Sequence, residues 1–224
     1  MKIRNLLEAL FNTEVEPDRR FHGYLRQDKD KTSDRAYGSA FSKVKDIRDE
    51  PHMVKKYNHR PMDVNAHKKL SVDGFNFFIE QIIEKGETDN IHFPRVYSMK
   101  KIVDDDNQFI HTYNVEKLIP SSALSKEELL KVCEELFGAD GEALGYSKAG
   151  LEDIIIGKIN YALQYHDYDD IESESLIEAL KILNDIVKSA VKLKRSHCLD
   201  LHLQNIMYRR TPIGIQLVLN DPIA

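Results

Sequence analysis

The sequence predicts an α+β fold in two lobes, an antiparallel sheet in the amino-terminal half and a smaller, mostly helical carboxy-terminal half. Three observations predict it. Short β-rich segments bounded by polar turns recur between residues 37 and 118. Apolar residues at helical spacing dominate from 125 to 193. An Asp200, Asn205, Asp221 pattern, with a strand–turn–strand segment between its last two members, then closes the chain. The expected parts are a helix and connection over 1–31, a first lobe over 32–120 and a second over 121–224.

Composition sets the class. The chain has 224 residues, 42% hydrophobic and 31% charged, enough apolar material for a core and too much for a disordered segment. A formal net charge of −5, with no basic cluster interleaved with aromatics, argues against a nucleic-acid partner. No apolar run approaches the ~20 residues of a membrane span, and Met1-Lys2-Ile3-Arg4 gives way too soon to polar residues for a secretory signal. Cys133 and Cys198 are far apart and lack a second metal-type pair, so a reducing cytoplasm is the expected compartment.

Along the chain, Ile3, Leu6, Leu7, Leu10 and Phe11 have helical spacing, and Pro17 closes that element. Gln27 to Asp34 is a charged connection. In Tyr37-Gly38-Ser39-Ala40-Phe41-Ser42-Lys43-Val44, small residues would let backbone N–H groups approach an anion. A turn over Asp46 to Pro51 leads to a strand, Pro51 to Tyr57, in which Lys55 and Lys56 point to opposite faces by alternation. Val72 to Lys85 is a helix with Phe75, Phe78, Ile79, Ile82 and Ile83 on one face, ended by Gly86. Its acids Glu80 and Glu84 lie four apart on one side. Two strands follow, Phe93 to Met99 and Gln108 to Leu118, joined by the acidic turn Asp104 to Asn107. The second runs out of the sheet through Glu116-Lys117-Leu118-Ile119-Pro120.

The later half is helical. Ser125 with Glu128 three residues on is a capping-box pattern, opening a helix lined by Leu129, Val132, Cys133, Leu136 and Phe137. After a Gly-rich break at 138–150, helices are expected over Leu151 to Tyr165 and Ser173 to Leu193. Leu176, Leu180, Leu183, Ile186, Val187, Ala190 and Val191 face inward on the second. The acidic tract Tyr165 to Asp170 has consecutive rather than metal-spaced ligands and reads as a solvated loop.

Asp200 and Asn205, five apart, precede a strand over Asn205 to Tyr208, a turn over Arg209 to Gly214 and a return strand over Ile215 to Leu219. Such a hairpin would put Asn205 and Asp221 at the same end. An Asp on a rigid loop can accept the proton of an attacking hydroxyl. An Asn amide oxygen and a carboxylate beside it can share the metal ions that neutralise phosphates. His197 and His202 flank Asp200, but two His and one acid make too small a cluster for a metal site of their own.

These strings resemble those of the protein-kinase superfamily. Gly38 to Val44 is similar to its glycine-rich loop, with Ser39 and Ser42 where glycines belong and Val44 matching directly. Met53 takes the place of the Ala that roofs the adenine and Lys55 that of the phosphate lysine, paired with a helical Glu at either 80 or 84. Glu116 and Leu118 fall where backbone groups of a hinge meet the adenine edge. Asp200 takes the place of the base, and Asn205 and Asp221 those of the metal ligands. More narrowly, Leu199-Asp200-Leu201-His202-Leu203-Gln204-Asn205-Ile206-Met207 with Asn220-Asp221-Pro222 resembles the early serine/threonine protein kinase of small podophages. His202 stands where protein kinases usually have Lys and many small-molecule and atypical kinases have His.

The resemblance implies ATP and Mg²⁺ as cofactors and phosphorylation of Ser or Thr in host proteins during infection, the chain itself included, in the host cytoplasm. It is specific over the last 25 or so residues and looser from residue 32 onward. The chain stops three residues after Asp221, so the segments that ordinarily dock a peptide are expected to be absent. The glycine loop is degenerate, and Asp221-Pro222-Ile223 replaces Asp-Phe-Gly. The rival expectation is a weak or inactive kinase-like protein that inhibits a host enzyme or defence factor by binding it. A small-molecule kinase is a further enzymatic alternative, fitted by His202.

Overall fold

The computed structural model describes residues 42–47, 50–58, 62–63, 74–103, 108–138, 145–193 and 198–223. The expected helix near residues 3–12, Gly38, Ser39 and His197 lie outside them. Within them the chain is α+β, with antiparallel sheets and four α-helices. It divides into two compact units, one holding the strands up to residue 63 and residues 96–117, the other holding 74–95 and 118–223.

The first unit is an antiparallel sheet of β1 (Ser42–Ile47), β2 (Glu50–Asn58), β3 (Met62–Asp63), β4 (Val96–Val103) and β5 (Gln108–Glu116). β5 is its centre. β2 and β3 pair in succession along one edge of β5 and β4 along the other, while β1 pairs with β2. The expected turn over 46–51 is narrower, since β1 runs to Ile47 across a bulge and β2 starts at Glu50. Because directly opposed residues share a face, Val44, Val54, Lys56, Tyr113 and Val115 lie on one side. Tyr113 and Val115 are buried there, and Thr112 and Glu116 are buried on the opposite side.

The second unit packs α1 (Gly74–Lys85), α2 (Lys126–Phe137), α3 (Lys148–Tyr165) and α4 (Glu174–Lys192) with a sheet of β6 (Ile119–Pro120), β7 (Ile206–Thr211) and β8 (Gly214–Leu219). Helix starts follow local chemistry. Ser125 and Glu128 form the full capping box, and the Ser147 and Ser173 hydroxyls accept from Gly150 N and Leu176 N. The α2 stripe is buried as its spacing predicts. On α4, however, Asn184 is buried while Val191 is 67% exposed. The Asn184 amide nitrogen has partners there, His166 Nδ1 and the Tyr168 hydroxyl, each at 3.1 Å. No helix among the described residues is long and apolar enough to cross a membrane.

The expected boundary at 120 differs from the observed grouping, because α1 and the turn after it belong with the helical unit. The strand expected from Phe93 begins only at Val96. Residues 91–93 are instead tied to the β7–β8 hairpin: Arg209 donates to the carbonyls of Ile91 and Phe93, and Leu219 N to that of His92. Phe93 in turn meets Phe78 of α1 edge-on at 5.2 Å.

Gly138 ends α2 at φ 81 and ψ 166, a region essentially reserved for glycine, and the Glu172 carboxylate occupies the space where a Cβ would stand. Gly138→Ala should therefore cost about 1–3 kcal/mol, read as a lower denaturation midpoint at unchanged m-value.

Candidate active site

The β7–β8 hairpin is longer and its turn tighter than the sequence suggests. Pairing runs from Ile206↔Leu219 to Thr211↔Gly214, leaving Pro212 and Ile213 as the loop, so Arg209 to Thr211 are strand rather than turn. At the open end Asn220 N donates to Asn205 O at 2.9 Å, which brings Asn205 and Asp221 together as expected. Asp200 N donates to Pro222 O at 2.9 Å, and Leu199 and Ile223 form a bridge. From α3, Asn160 Nδ2 reaches Leu201 O at 3.3 Å. The loop 199–205 is thus fixed by backbone bonds at both ends and by a helix at its middle.

Within it, Asn205 Nδ2 donates to the Asp200 carbonyl at 2.7 Å and to Asp200 Oδ2 at 3.2 Å. The nitrogen being engaged with the loop, Oδ1 is the amide atom suited to a cation. The Asp200 side chain is 44% exposed, open enough to meet an incoming hydroxyl. His202 carries competing demands. Gln204 N donates to its Nδ1 at 3.2 Å, Asn205 Nδ2 stands 3.1 Å from its Nε2, and Asp200 Oδ2 is 3.6 Å from that same Nε2. A neutral imidazole has one acceptor nitrogen. With Nδ1 accepting, Nε2–H faces Asp200 Oδ2 favourably and the Asn205 NH2 unfavourably, so His202 sits in a local conflict of donors.

The donor set suits a hard cation. No group of three His, Cys, Asp or Glu side chains gathers among the described residues. Mg²⁺ commonly takes only one or two protein oxygens, with water and phosphate supplying the rest. Asn205 Oδ1 and the half-exposed Asp221 carboxylate are oxygens of that kind, on adjoining segments.

The expected nucleotide residues divide. Met53 opposes Glu116 and Lys55 opposes Asn114 on one face of the first sheet, whereas Val44 opposes Lys56 on the other. Val44 and Lys55 therefore cannot serve one ligand on one face. The lysine that shares a face with Val44, with Val54 two residues before it, is Lys56, and it is buried, at 6% exposure. Met53 and Lys55 thus lie on the face opposite Val44, and Val54 and Lys56 on the face that Val44 shares. Glu116 is buried, and the following Lys117 N donates to His52 O at 2.8 Å. Leu118 is half-buried and begins the second unit. Ser42 opens β1, opposite Asn58. Of the two acids on α1, Glu84 is exposed and accepts from Gln81, while Glu80 is half-buried.

Sequence reasoning missed the clasp behind the loop. His92 Nδ1 lies 2.9 Å from Leu217 O and its Nε2 3.0 Å from Ser175 Oγ, and the residue is buried. Desolvation holds its pKa below the ordinary 6.5; the Leu217 carbonyl acts in the opposite sense, and Arg209 adds to the lowering. The unfolded chain takes up this proton at higher pH than the native state does, so the penalty is absent above about 6.5 and grows as pH falls below it. Melting temperature should therefore drop between about pH 7 and 5, and His92→Gln should flatten that drop.

Comparison with protein-family models and with curated proteins finds no match to this chain.

Proposed function

We propose that the protein transfers the γ-phosphoryl group of ATP to Ser or Thr hydroxyls of proteins, host proteins in infection and its own chain among them. The antiparallel unit is read as the nucleotide lobe of a kinase-like fold and the helical unit as its catalytic lobe. The observation that carries this is the loop geometry: Asn205 Nδ2 bonded to the Asp200 carbonyl at 2.7 Å, with Asp221 on the adjoining strand end. Asp200 accepts the hydroxyl proton. Asn205 Oδ1 and Asp221 hold Mg²⁺, which when bound neutralises phosphate charge. Lys56, rather than Lys55, contacts the phosphates, with Val44 and Val54 beside it on the same face of the sheet.

The test is incorporation of labelled phosphate by purified protein with ATP and Mg²⁺. Lys56→Met should lower it by about 10²–10³-fold, the usual loss when one aligned donor is removed, while Lys55→Met stays near wild type. Asp221→Ala should abolish it. ATP with Mg²⁺ at about 100 times Kd should stabilise the wild type by about 2.7 kcal/mol. If the wild type neither labels nor shifts its melting, phosphoryl transfer is wrong and the binding reading replaces it. Loss on Lys55→Met with Lys56→Met unaffected would restore the original lysine.

A further inference from the structure

A second chemistry-bearing arrangement lies away from the Asp200 loop. A cavity of about 280 Å³ opens beside the β7–β8 hairpin, and both His92 and Ser175 line it, with Glu135, Leu136, Ile215 and Leu217 around them. The hydrogen-bond directions there follow by elimination. The Leu217 carbonyl can only accept, so His92 Nδ1, 2.9 Å away, carries the proton. Neutral Nε2 must then accept, and Ser175 Oγ at 3.0 Å donates to it. Ser173 Oγ, 3.1 Å from Ser175 Oγ, supplies the hydrogen that Ser175 Oγ accepts, while itself accepting from Leu176 N. The hydroxyl of Ser175 is thus aimed at a base whose tautomer and ring orientation are fixed by a third group, the arrangement that activates a serine nucleophile.

We propose that Ser175 and His92 form a nucleophile–base pair that acts on small neutral acyl esters entering this cavity. Ser175 Oγ attacks the acyl carbon as its proton passes to His92 Nε2. The carbon–oxygen bond to the leaving group then breaks, the alcohol departing with that proton. Water, deprotonated by His92, attacks the acyl-serine and releases the acid, restoring Ser175, so ester and water give acid and alcohol. Ser175 is the second residue of α4, and its own N–H and that of Glu174 have no acceptor within the helix. The Ser175 N–H, on a residue that lines the cavity, is the donor suited to the oxyanion. The Glu135 carboxylate repels an anionic phosphoester, and Leu136, Ile215 and Leu217 suit a short acyl chain, which selects a neutral ester over a phosphate.

The proposal goes beyond phosphoryl transfer and is tested without ATP or Mg²⁺. The full chain is treated with a neutral alkyl fluorophosphonate, whose phosphorus bonds to Ser175 Oγ with loss of fluoride, and the product is read by intact mass and peptide mapping. One adduct on Ser175 is expected in the native protein, none in the urea-unfolded chain and none in Ser175→Ala. Hydrolysis of p-nitrophenyl butyrate should fall by about 10²-fold or more in Ser175→Ala. Absence of the adduct in native protein, labelling spread over other serines, or hydrolysis unchanged in Ser175→Ala overturns the proposal.

Discussion

Arg209→Met should cost about 2–6 kcal/mol, the worth of two orphaned carbonyls. The guanidinium is buried, at 8% exposure, and donates to Ile91 O at 2.7 Å, Phe93 O at 3.0 Å and the Gln216 side chain. Methionine keeps the apolar stem but supplies no donor, so two backbone carbonyls lose their partner. Each such orphan costs about 1–3 kcal/mol when water cannot replace the donor. Against a domain stability of about 5–15 kcal/mol, that removes much of the margin. Urea unfolding followed by circular dichroism checks it. A midpoint within error of wild type would mean that water takes over the carbonyls and that the clasp contributes little. Arg210→Met is the matched comparison: its guanidinium pairs with Glu128 at the exposed surface, where solvent screens the pair and little stability should be lost.

The contrast between these arginines shows what sequence could and could not say. Ser125 and Glu128 announce a helix start because a capping box is written within four residues and acts within one turn. The α2 stripe was legible for the same reason, since 3.6-residue periodicity is local. Arg209 carries no such mark. Its acceptors lie 116 and 118 residues earlier, and Arg209 and Arg210 look alike until the hairpin is closed.

Lys55 and Lys56 present the same difficulty in a strand. Alternation establishes that they point apart, but that Lys56 shares its face with Tyr113 and Val115 of β5, more than fifty residues away, appears only once the strands pair. The spacing of Asp200, Asn205 and Asp221 was legible because a hairpin between Asn205 and Asp221 is itself a short-range structure. The conflict at His202 was not, since it arises from hydrogen-bond directions rather than residue order. Asn184, buried on a face that periodicity assigns to apolar residues, was missed because its partners His166 and Tyr168 lie in a loop that reads as solvated.

Under the proposed phosphoryl transfer, Asp200→Asn should lower turnover by about 10²–10⁴-fold, the usual worth of a positioned general base, while leaving nucleotide binding nearly intact. The two effects separate because the loop's shape does not depend on the carboxylate. Its anchors are the Asp200 N bond to Pro222 O at 2.9 Å and the Asn205 Nδ2 bond to the Asp200 carbonyl at 2.7 Å, and an asparagine backbone keeps both. The side-chain contact from Asn205 to Oδ2 at 3.2 Å survives if the new amide presents its oxygen. What is lost is the proton acceptor and the attraction between Asp200 and His202, a partly exposed pair of small energetic weight. Asn205→Ala is the informative opposite, since it removes both the loop bond and the oxygen offered to Mg²⁺. It should therefore weaken the Mg²⁺-dependent part of the nucleotide melting shift as well as turnover. Labelled-phosphate incorporation and nucleotide-dependent melting, measured on both variants, distinguish the roles. If Asp200→Asn incorporates phosphate at the wild-type rate, Asp200 is not the base; if both variants lose the melting shift equally, it serves binding and not proton transfer.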